Sequence, residues 1–467
     1  MLFNSLQYGF FLVAVVTAYY ALRRRSQNLL LLVASYVFYG FWDWRFLGLI
    51  VVSTVVDFGT GQWIQRARTV EKPGWARMAV SLSLMTNLGI LGFFKYFNFF
   101  VDSAVSLLDG LGLSASGTTL NVILPVGISF YTFQTLSYTI DIYRGNLEPT
   151  RNMLDFALFV AFFPQLVAGP IERATHLLPQ IQMQRVVTSG LFSKGLYLIG
   201  VGLVRKVLIA DVAGVIADRY FQEPTAYSSV ELMAGLLLYS IQIYGDFAGY
   251  SNIARGSAML LGFDLMRNFH HPYFARNVAD FWRRWHISLS TWLRDYLYIT
   301  LGGSRQGKMR TYVNLAVTML LGGLWHGASW NFVLWGGLHG TYLAVHRAFI
   351  QGRREAGGLA TKALSMAFTF TLVSFTWLPF RLQEPSAVFD YLRGVFAFSA
   401  DGFGSLVVVA VLYGLILLVD IPQAVTDDEY WLLQWRLVPR LAMTGATIVA
   451  IVLAAGGQAA PFIYFQF

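Results

Sequence analysis

Apolar runs about twenty residues long, separated by short polar connections, recur from one end of the chain to the other. A helix needs about 20 such residues to cross the hydrocarbon core of a bilayer. The pattern predicts spans at 2–22, 28–42, 46–64, 78–98, 119–142, 190–216, 231–250, 311–327, 328–346, 363–380, 404–420 and 441–456. The expected fold class is therefore all-α and polytopic. No internal repeat and no low-complexity linker divides the chain, so residues 1–467 are expected to form a single integral-membrane domain. The first run, Leu2 to Leu22, precedes its positive charges, Arg23, Arg24 and Arg25. A secretory signal has the reverse order, so this run reads as a retained first span that starts outside.

The distribution of Lys and Arg orders the spans, since basic connections stay on the cytoplasmic side. Arg23 to Arg25 lie inside, as do Arg66, Arg68, Lys72 and Arg77 two spans later. The 99–120 connection has Asp102 and Asp109 but no Lys or Arg and lies outside, and Arg144 and Arg151 return inside. The run MLDFALFVAFFPQLVAG at 153–169 is apolar enough to cross, yet crossing would place the very basic 267–310 segment outside. Pro164 and the Gly169-Pro170 pair would also interrupt a helix there. Segment 153–189 is thus expected to enter the bilayer region without crossing, packed against protein that satisfies its broken backbone. With that, 217–230 lies outside, 251–310 inside, Arg353, Arg354 and Lys362 inside, and the C-terminus outside.

Composition agrees. The chain is 56% hydrophobic and 13% charged, against about 25% charged in soluble domains. Its net charge of +9 would suggest nucleic acid in a soluble protein. Here cytoplasmic loops account for it, and the expected contacts are membrane lipids rather than nucleic acid. The absence of cysteine excludes disulfides, thiolate metal sites, a cysteine nucleophile and any acyl group carried on a thiol of this chain. No metal or bound cofactor is expected. Several polar groups fall inside spans: Asp57, Asn87, Lys95, Gln134, Asp141, Arg205, Lys206, Asp246 and Asn331. A charge at the bilayer centre costs about 2.5–3.5 kcal/mol on insertion scales. Arg205 and Lys206 are therefore expected to snorkel, to pair with an acid such as Asp211 or Asp246, or to line an internal polar path with the other polar groups.

Between Arg267 and Arg310 stand eight Lys or Arg and two acids, Asp280 and Asp295. Written as one helix, Trp282, Trp285, Leu289, Trp292 or Leu293, and Tyr296 share a stripe, while Arg283, Ser290 and Arg294 fall on another. That pattern suits a helix lying at the membrane interface. It equally suits an anion site in which Arg283, Arg284 and Arg294 meet the phosphates of a nucleotide-type acyl donor such as coenzyme A.

Of the seven histidines, His270, His271 and His346 read as interface residues, His176 is uninformative, and His339 suits a core position. His286 lies beside the arginines. His326 differs: it comes about fifteen residues into a span, followed at once by Gly327, Ala328 and Ser329. Gly322, Gly323 and Gly327 allow close approach of backbone or ligand, and Trp325 and Trp330 can wall a cavity. An ordinary histidine pKa of about 6.5 suits proton abstraction from a hydroxyl at neutral pH. An ionisable group inside the membrane is by default a functional candidate.

FWRRWHISLSTWLRDYLYITLGGSRQGK followed by NLAVTMLLGGLWHGASWNFVLWGGLHG resembles the membrane-bound O-acyltransferase family. It is most similar to the bacterial branch containing alginate O-acetyltransferase and the related cellulose acetylation protein. LPVGISFYTFQTLSYTIDIYRG, FFPQLVAGPIERA and YGDFAGYSNIARG extend the similarity, with core motifs over about 120–345. The resemblance implies a bundle of roughly 11–13 helices with re-entrant segments around a central tunnel. It implies that His326, of the WHG motif, is catalytic and that His286, of RWHIS, is the family's second histidine. Trp325, Ser329, Asn331 and Asp246 are the expected tunnel-lining residues. By the same resemblance the protein would sit in the bacterial inner membrane, N-terminus periplasmic. It would take an acetyl group from a cytoplasmic thioester, with acetyl-CoA the expected donor, and move it across the membrane to O-acetylate an exported polysaccharide. The expected partners are a periplasmic or membrane-anchored SGNH-type acetyltransferase, whose Gly-Asp-Ser block this chain lacks, and a polysaccharide synthase and export complex. General-base and acyl-histidine routes both remain open, as does D-alanyl transfer to an envelope polymer from a carrier-protein thioester. A lipid-linked sugar transporter is the rival of another class.

Overall fold

The computed structural model describes residues 1–113, 117, 120, 123–167, 169–352, 358–399, 401–454 and 462–463. Arg353, Arg354 and the C-terminal end, given a side of the membrane above, lie outside the described residues. Every regular element among the described residues is helical. Among the described residues, five segments are long and apolar enough to cross a bilayer: Arg24–Thr69, Pro73–Gly110, Leu359–Arg381, Gly404–Thr426 and Leu437–Ala454. The protein is an all-α, multi-pass membrane protein. Contacts within the chain group it into two units, residues 1–192 with 257–266, and residues 193–256 with 267–467.

The first unit contains α1 (Leu6–Tyr20), α2 (Arg24–Asp43), α3 (Leu47–Thr69), α4 (Pro73–Leu91), α5 (Phe97–Gly110), α6 (Ile128–Arg144), α7 (Met153–Ala161), α8 (Phe163–Leu166) and α9 (Ala174–Gln182). Ser5 caps α1 by accepting from the Tyr8 N–H. The long α2–α3 run breaks at Asp43, which leaves helical geometry (φ −160°, ψ 111°) and accepts from the Arg45 N–H. Asp57 and Asn87, polar within their spans, meet each other. Asn87 donates to both Asp57 oxygens at 3.1 and 2.9 Å, and Ser83 adds a third bond at 2.6 Å. Hydrogen bonding to the charged group is what makes such burial tolerable.

The 153–189 segment is broken into short helices, buried over 155–167 and exposed at 182–184. Nine residues of α7 span about 14 Å at 1.5 Å per residue, less than half a bilayer core. The helix breaks at Phe162 (φ −54°, ψ 112°) just before Pro164. The Phe159 carbonyl freed by the break accepts from both Gln134 (2.5 Å) and Gln165 (2.7 Å). The Phe163 N–H finds the Ser35 hydroxyl at 3.0 Å. Gln134, another polar residue within a span, thus completes a backbone that proline interrupts.

The second unit contains most of α10 (Ser189–Leu203) and of α12 (Ser229–Leu260), with α11 (Asp211–Gln222) between them. It continues with α13 (Val278–Arg284), α14 (Ile287–Trp292), α15 (Lys308–His326), α16 (Trp330–Phe349), α17 (Leu359–Arg381), α18 (Pro385–Val395), α19 (Gly404–Thr426) and α20 (Leu437–Ala454). The expected 190–216 span is interrupted by a wider π-type turn, Val204–Ala210, that carries both charges. Lys206 bridges Asp211 (2.7 Å) and Asp246 (2.8 Å), as the pairing expectation allowed. Arg205 instead pairs with Asp420 at 2.5 Å, and Tyr244 donates to the same carboxylate at 2.7 Å.

Asp420→Ala should leave the buried Arg205 guanidinium without its counter-charge and cost about 3–5 kcal/mol. The exposed Arg393–Asp390 pair is the control, since Arg393→Ala should cost no more than about 1 kcal/mol. Thermal unfolding of the purified variants in detergent measures both; equal midpoints would contradict the role given to Asp420.

Candidate active site

The segment expected to form one interfacial helix is two helices. α13 ends at Arg284, Trp285 is extended (φ −103°, ψ 130°), and His286 takes the left-handed conformation (φ 42°, ψ 54°) before α14. Trp285, Leu289 and Trp292 do share the buried side, but they are buried in protein rather than presented at a surface. A strand-like stretch upstream clamps the break. The His270 N–H donates to Arg284 O and the Ile287 N–H to Asn268 O, both at 2.9 Å. Asn268 Oδ1 accepts from the Ser288 hydroxyl at 2.7 Å, and its amide donates to Ser251 at 3.1 Å. Histidine enters the left-handed region more readily than most residues, and such strained positions cluster at functional sites. The result is a fully buried imidazole, 0% exposed, whose ring stands edge-on to Phe247 at 4.7 Å.

His326 is the last residue of α15, and three residues turn the chain into α16. These helices pack through glycine. A Cβ on Gly323 would stand 2.1 Å from the Phe332 carbonyl oxygen, and one on Gly336 2.3 Å from Met319 O. That closeness brings the first turns of α16 against the end of α15. The His326 ring is 4.9 Å from Trp335, 5.1 Å from Phe380 and 6.5 Å from Phe332. The two histidines lie together, ring centres 6.3 Å apart, with Trp325 5.7 Å from His286. His326 is only 5% exposed.

The same unit contains a cavity of about 750 Å³ lined by both apolar and basic side chains. Arg276, Arg283, Arg294, Arg347 and Lys362 line it, with His346, Trp282, Leu293, Thr318 and Met319. Arg283 and Arg294 both line this cavity. A bond from Arg294 to Asp295 raises the arginine pKa further, so it stays charged. Arg284 does not line the cavity; it pairs with Asp280 at 3.0 Å. Arg276 belongs to the same basic segment as Arg283, whereas Arg347 and Lys362 had no local signal, because they reach the cavity from separate segments.

The other candidates are placed as follows. Trp325 packs between the histidines. Ser329 caps the start of α16 in extended conformation (φ −150°). Asn331 donates to Leu382 O at 2.6 Å, and Asp246 holds Lys206 and accepts from the Ile463 N–H at 2.7 Å. His339 is buried and meets Thr376 Oγ1 at 3.0 Å. His176 pairs with Glu172 at 2.8 Å in the first unit, and His271 stands 3.7 Å from Asp420.

Residues 4–377 match the model of the membrane-bound O-acyltransferase family. The chain is 41% identical, over the whole of both chains, to a probable alginate O-acetylase of Pseudomonas putida. It is 36% identical to a peptidoglycan O-acetyltransferase of Helicobacter pylori, over 85% of this chain and 80% of that one. Similarity to a teichoic acid D-alanyltransferase of Bacillus subtilis is 28%, over 55% of this chain and 68% of that one.

Gly323→Val should separate α15 from α16 and cost about 1–3 kcal/mol, as overpacking does. Gly337→Ala, whose new Cβ would meet nothing nearer than 3.8 Å, is the matched control. Unfolding midpoints in detergent should fall for the first variant and hold for the second.

Proposed function

The chain belongs to the membrane-bound O-acyltransferase family and is an O-acyltransferase, and from that premise we propose that it moves an acetyl group from a cytoplasmic thioester to O-acetylate an exported polysaccharide. The observation that carries the reading is the pairing of two buried histidines, 6.3 Å apart, with a cavity lined partly by basic side chains in the same unit. His326 is the general base: it takes the proton of an acceptor hydroxyl as that oxygen attacks the thioester carbonyl. The C–S bond then breaks and the proton returns to the departing thiolate. His286 orients or relays through one intervening hydroxyl or water. The packed aromatic rings around His326 exclude bulk water, which would otherwise compete for the acyl group.

Acetyl-CoA is the donor proposed for the cavity. Its size suits a ligand of drug-like dimensions. Arg283 and Arg294, joined by Arg276, Arg347 and Lys362, would meet phosphates, whereas Arg284 does not line the cavity. An acetylase name on relatives such as that of P. putida supports an acetyl group and an alginate-like acceptor. In this reading the protein lies in the bacterial inner membrane with its N-terminus periplasmic. It hands the acyl group to an SGNH-type acetyltransferase beside a polysaccharide synthase and export complex. The D-alanyltransferase likeness favours one alternative, a carrier-protein thioester docking on the same basic side chains. Acyl transfer from such a carrier, with none from acetyl-CoA, would replace the first donor by the second.

With labelled acetyl-CoA and purified protein, His326→Ala should lower turnover by about 10²–10⁴-fold, the usual worth of general acid–base catalysis. Retained turnover would remove His326 from the mechanism. Arg283→Glu and Arg294→Glu should each raise the KM for acetyl-CoA about three- to tenfold, since an exposed ionic contact is worth up to about 1 kcal/mol and reversal of the charge adds repulsion. An unchanged KM in both would move the donor elsewhere.

A further inference from the structure

We propose that the Trp282 indole is the gate between the basic cavity and the chamber around His326, and that it limits the size of acyl group that passes. The proposal rests on reading the cavity as the donor site. Trp282 lines that cavity, whereas His286, His326, His339 and Trp335 do not. Trp282 also packs against Trp335, ring centres 5.7 Å apart, and against His339 at 5.1 Å. Trp335 in turn stands 4.9 Å from the His326 ring. Two indoles thus separate the cavity from the imidazole, and Trp282 is the one the cavity reaches.

Its polar atom leaves the ring free to turn, a property it shares with Trp335, whose indole N–H is likewise buried without a hydrogen-bond partner among the described residues. The Trp282 indole N–H is buried and has no hydrogen-bond partner among the described residues. A buried donor without an acceptor is uncommon and calls for an explanation. Only packing holds this side chain, so it can turn without breaking a hydrogen bond. Its backbone is fixed: Asn277 caps α13 by accepting from the Asp280 N–H at 2.8 Å, and the helix ends at the clamped turn before His286. The motion is therefore in the side chain alone. A donor arm rich in amide and thioester carbonyls supplies the acceptor that the N–H lacks when the arm lies alongside. An acetyl group slips past the displaced ring; a longer chain needs the volume the ring still occupies.

The chain has no cysteine, so His326→Cys makes a single thiol that can be timed with sulfonatoethyl methanethiosulfonate in purified protein. Adding Trp282→Ala should speed that labelling at least about tenfold, as removal of a gate would, while Trp282→Phe should leave it close to the parent rate. With His326 intact, Trp282→Ala should raise the ratio of kcat/KM for butyryl-CoA to that for acetyl-CoA at least about tenfold, the discrimination a pocket achieves over one or two methylenes. Trp282→Leu tests the same expectations should the alanine variant fail to fold. Unchanged labelling in both variants overturns the gate whatever the donor is. Faster labelling with an unchanged acyl ratio overturns the size limit. Faster labelling in a protein whose wild-type form binds no acyl-CoA upholds the gate and overturns the donor reading instead.

Discussion

The contact on which the candidate site depends is the glycine-mediated approach of α15 to α16. Lipid tails are as apolar as leucine, so helices in a membrane are held by close packing and hydrogen bonds rather than by escape from water. Gly323 and Gly336 let two backbones meet where any Cβ would strike a carbonyl oxygen. His326 is the last residue of one partner, and Phe332 and Trp335 are in the first turns of the other. The spacing of the backbones therefore sets the spacing of the imidazole from its aromatic wall. The glycines in LGGLWHG and LWGGLHG act on position first, and on flexibility only at the turn between the helices.

A second constraint governs the polar groups that the apolar spans contain. Several are answered by specific partners within the protein: Asp57 by Asn87 and Ser83, the Phe159 carbonyl by two glutamines, Arg205 by Asp420, Lys206 by two aspartates. Breaking one such arrangement strands the other partner in a medium that cannot solvate it. This limits where catalytic chemistry can sit. Asp246 and Asn331, expected to line the tunnel, also hold the structure together through Lys206 and the Leu382 carbonyl.

What was legible in the sequence follows from range. Apolar runs report their own helices, so the helical, multi-pass class could be read locally, as could the interruption at Pro164. His326 stood out because glycine and tryptophan crowd it within a few residues. The break at His286 could not be read the same way, because FWRRWHISLSTW suits a continuous amphipathic helix. Its left-handed turn is imposed by residues 268–270, which hold Arg284 O and the Ile287 N–H. Arg205 finds its carboxylate 215 residues away, well beyond any periodicity. The cavity's cations Arg347 and Lys362 join those of the basic segment only in the folded chain, for the same reason.

The placement of charge around the histidines also bears on how a polyanionic donor could serve a dry site. Bringing phosphates to the imidazoles would demand desolvation of several charges at once, a cost that pairing seldom repays. Here the Arg283 and Arg294 side chains are largely exposed, so ionic contacts made with them keep much of their hydration. Each such contact is individually weak and screened by salt. Five cations at one cavity supply by number what none supplies by depth. Only a neutral arm and its acyl group would then have to enter the packed interior, where Trp282, Trp335 and His326 present rings rather than ions. In the proposed reaction the most expensive part of the donor stays where water can reach it. The only proton that must move inside is the one passed between hydroxyl, imidazole and thiolate.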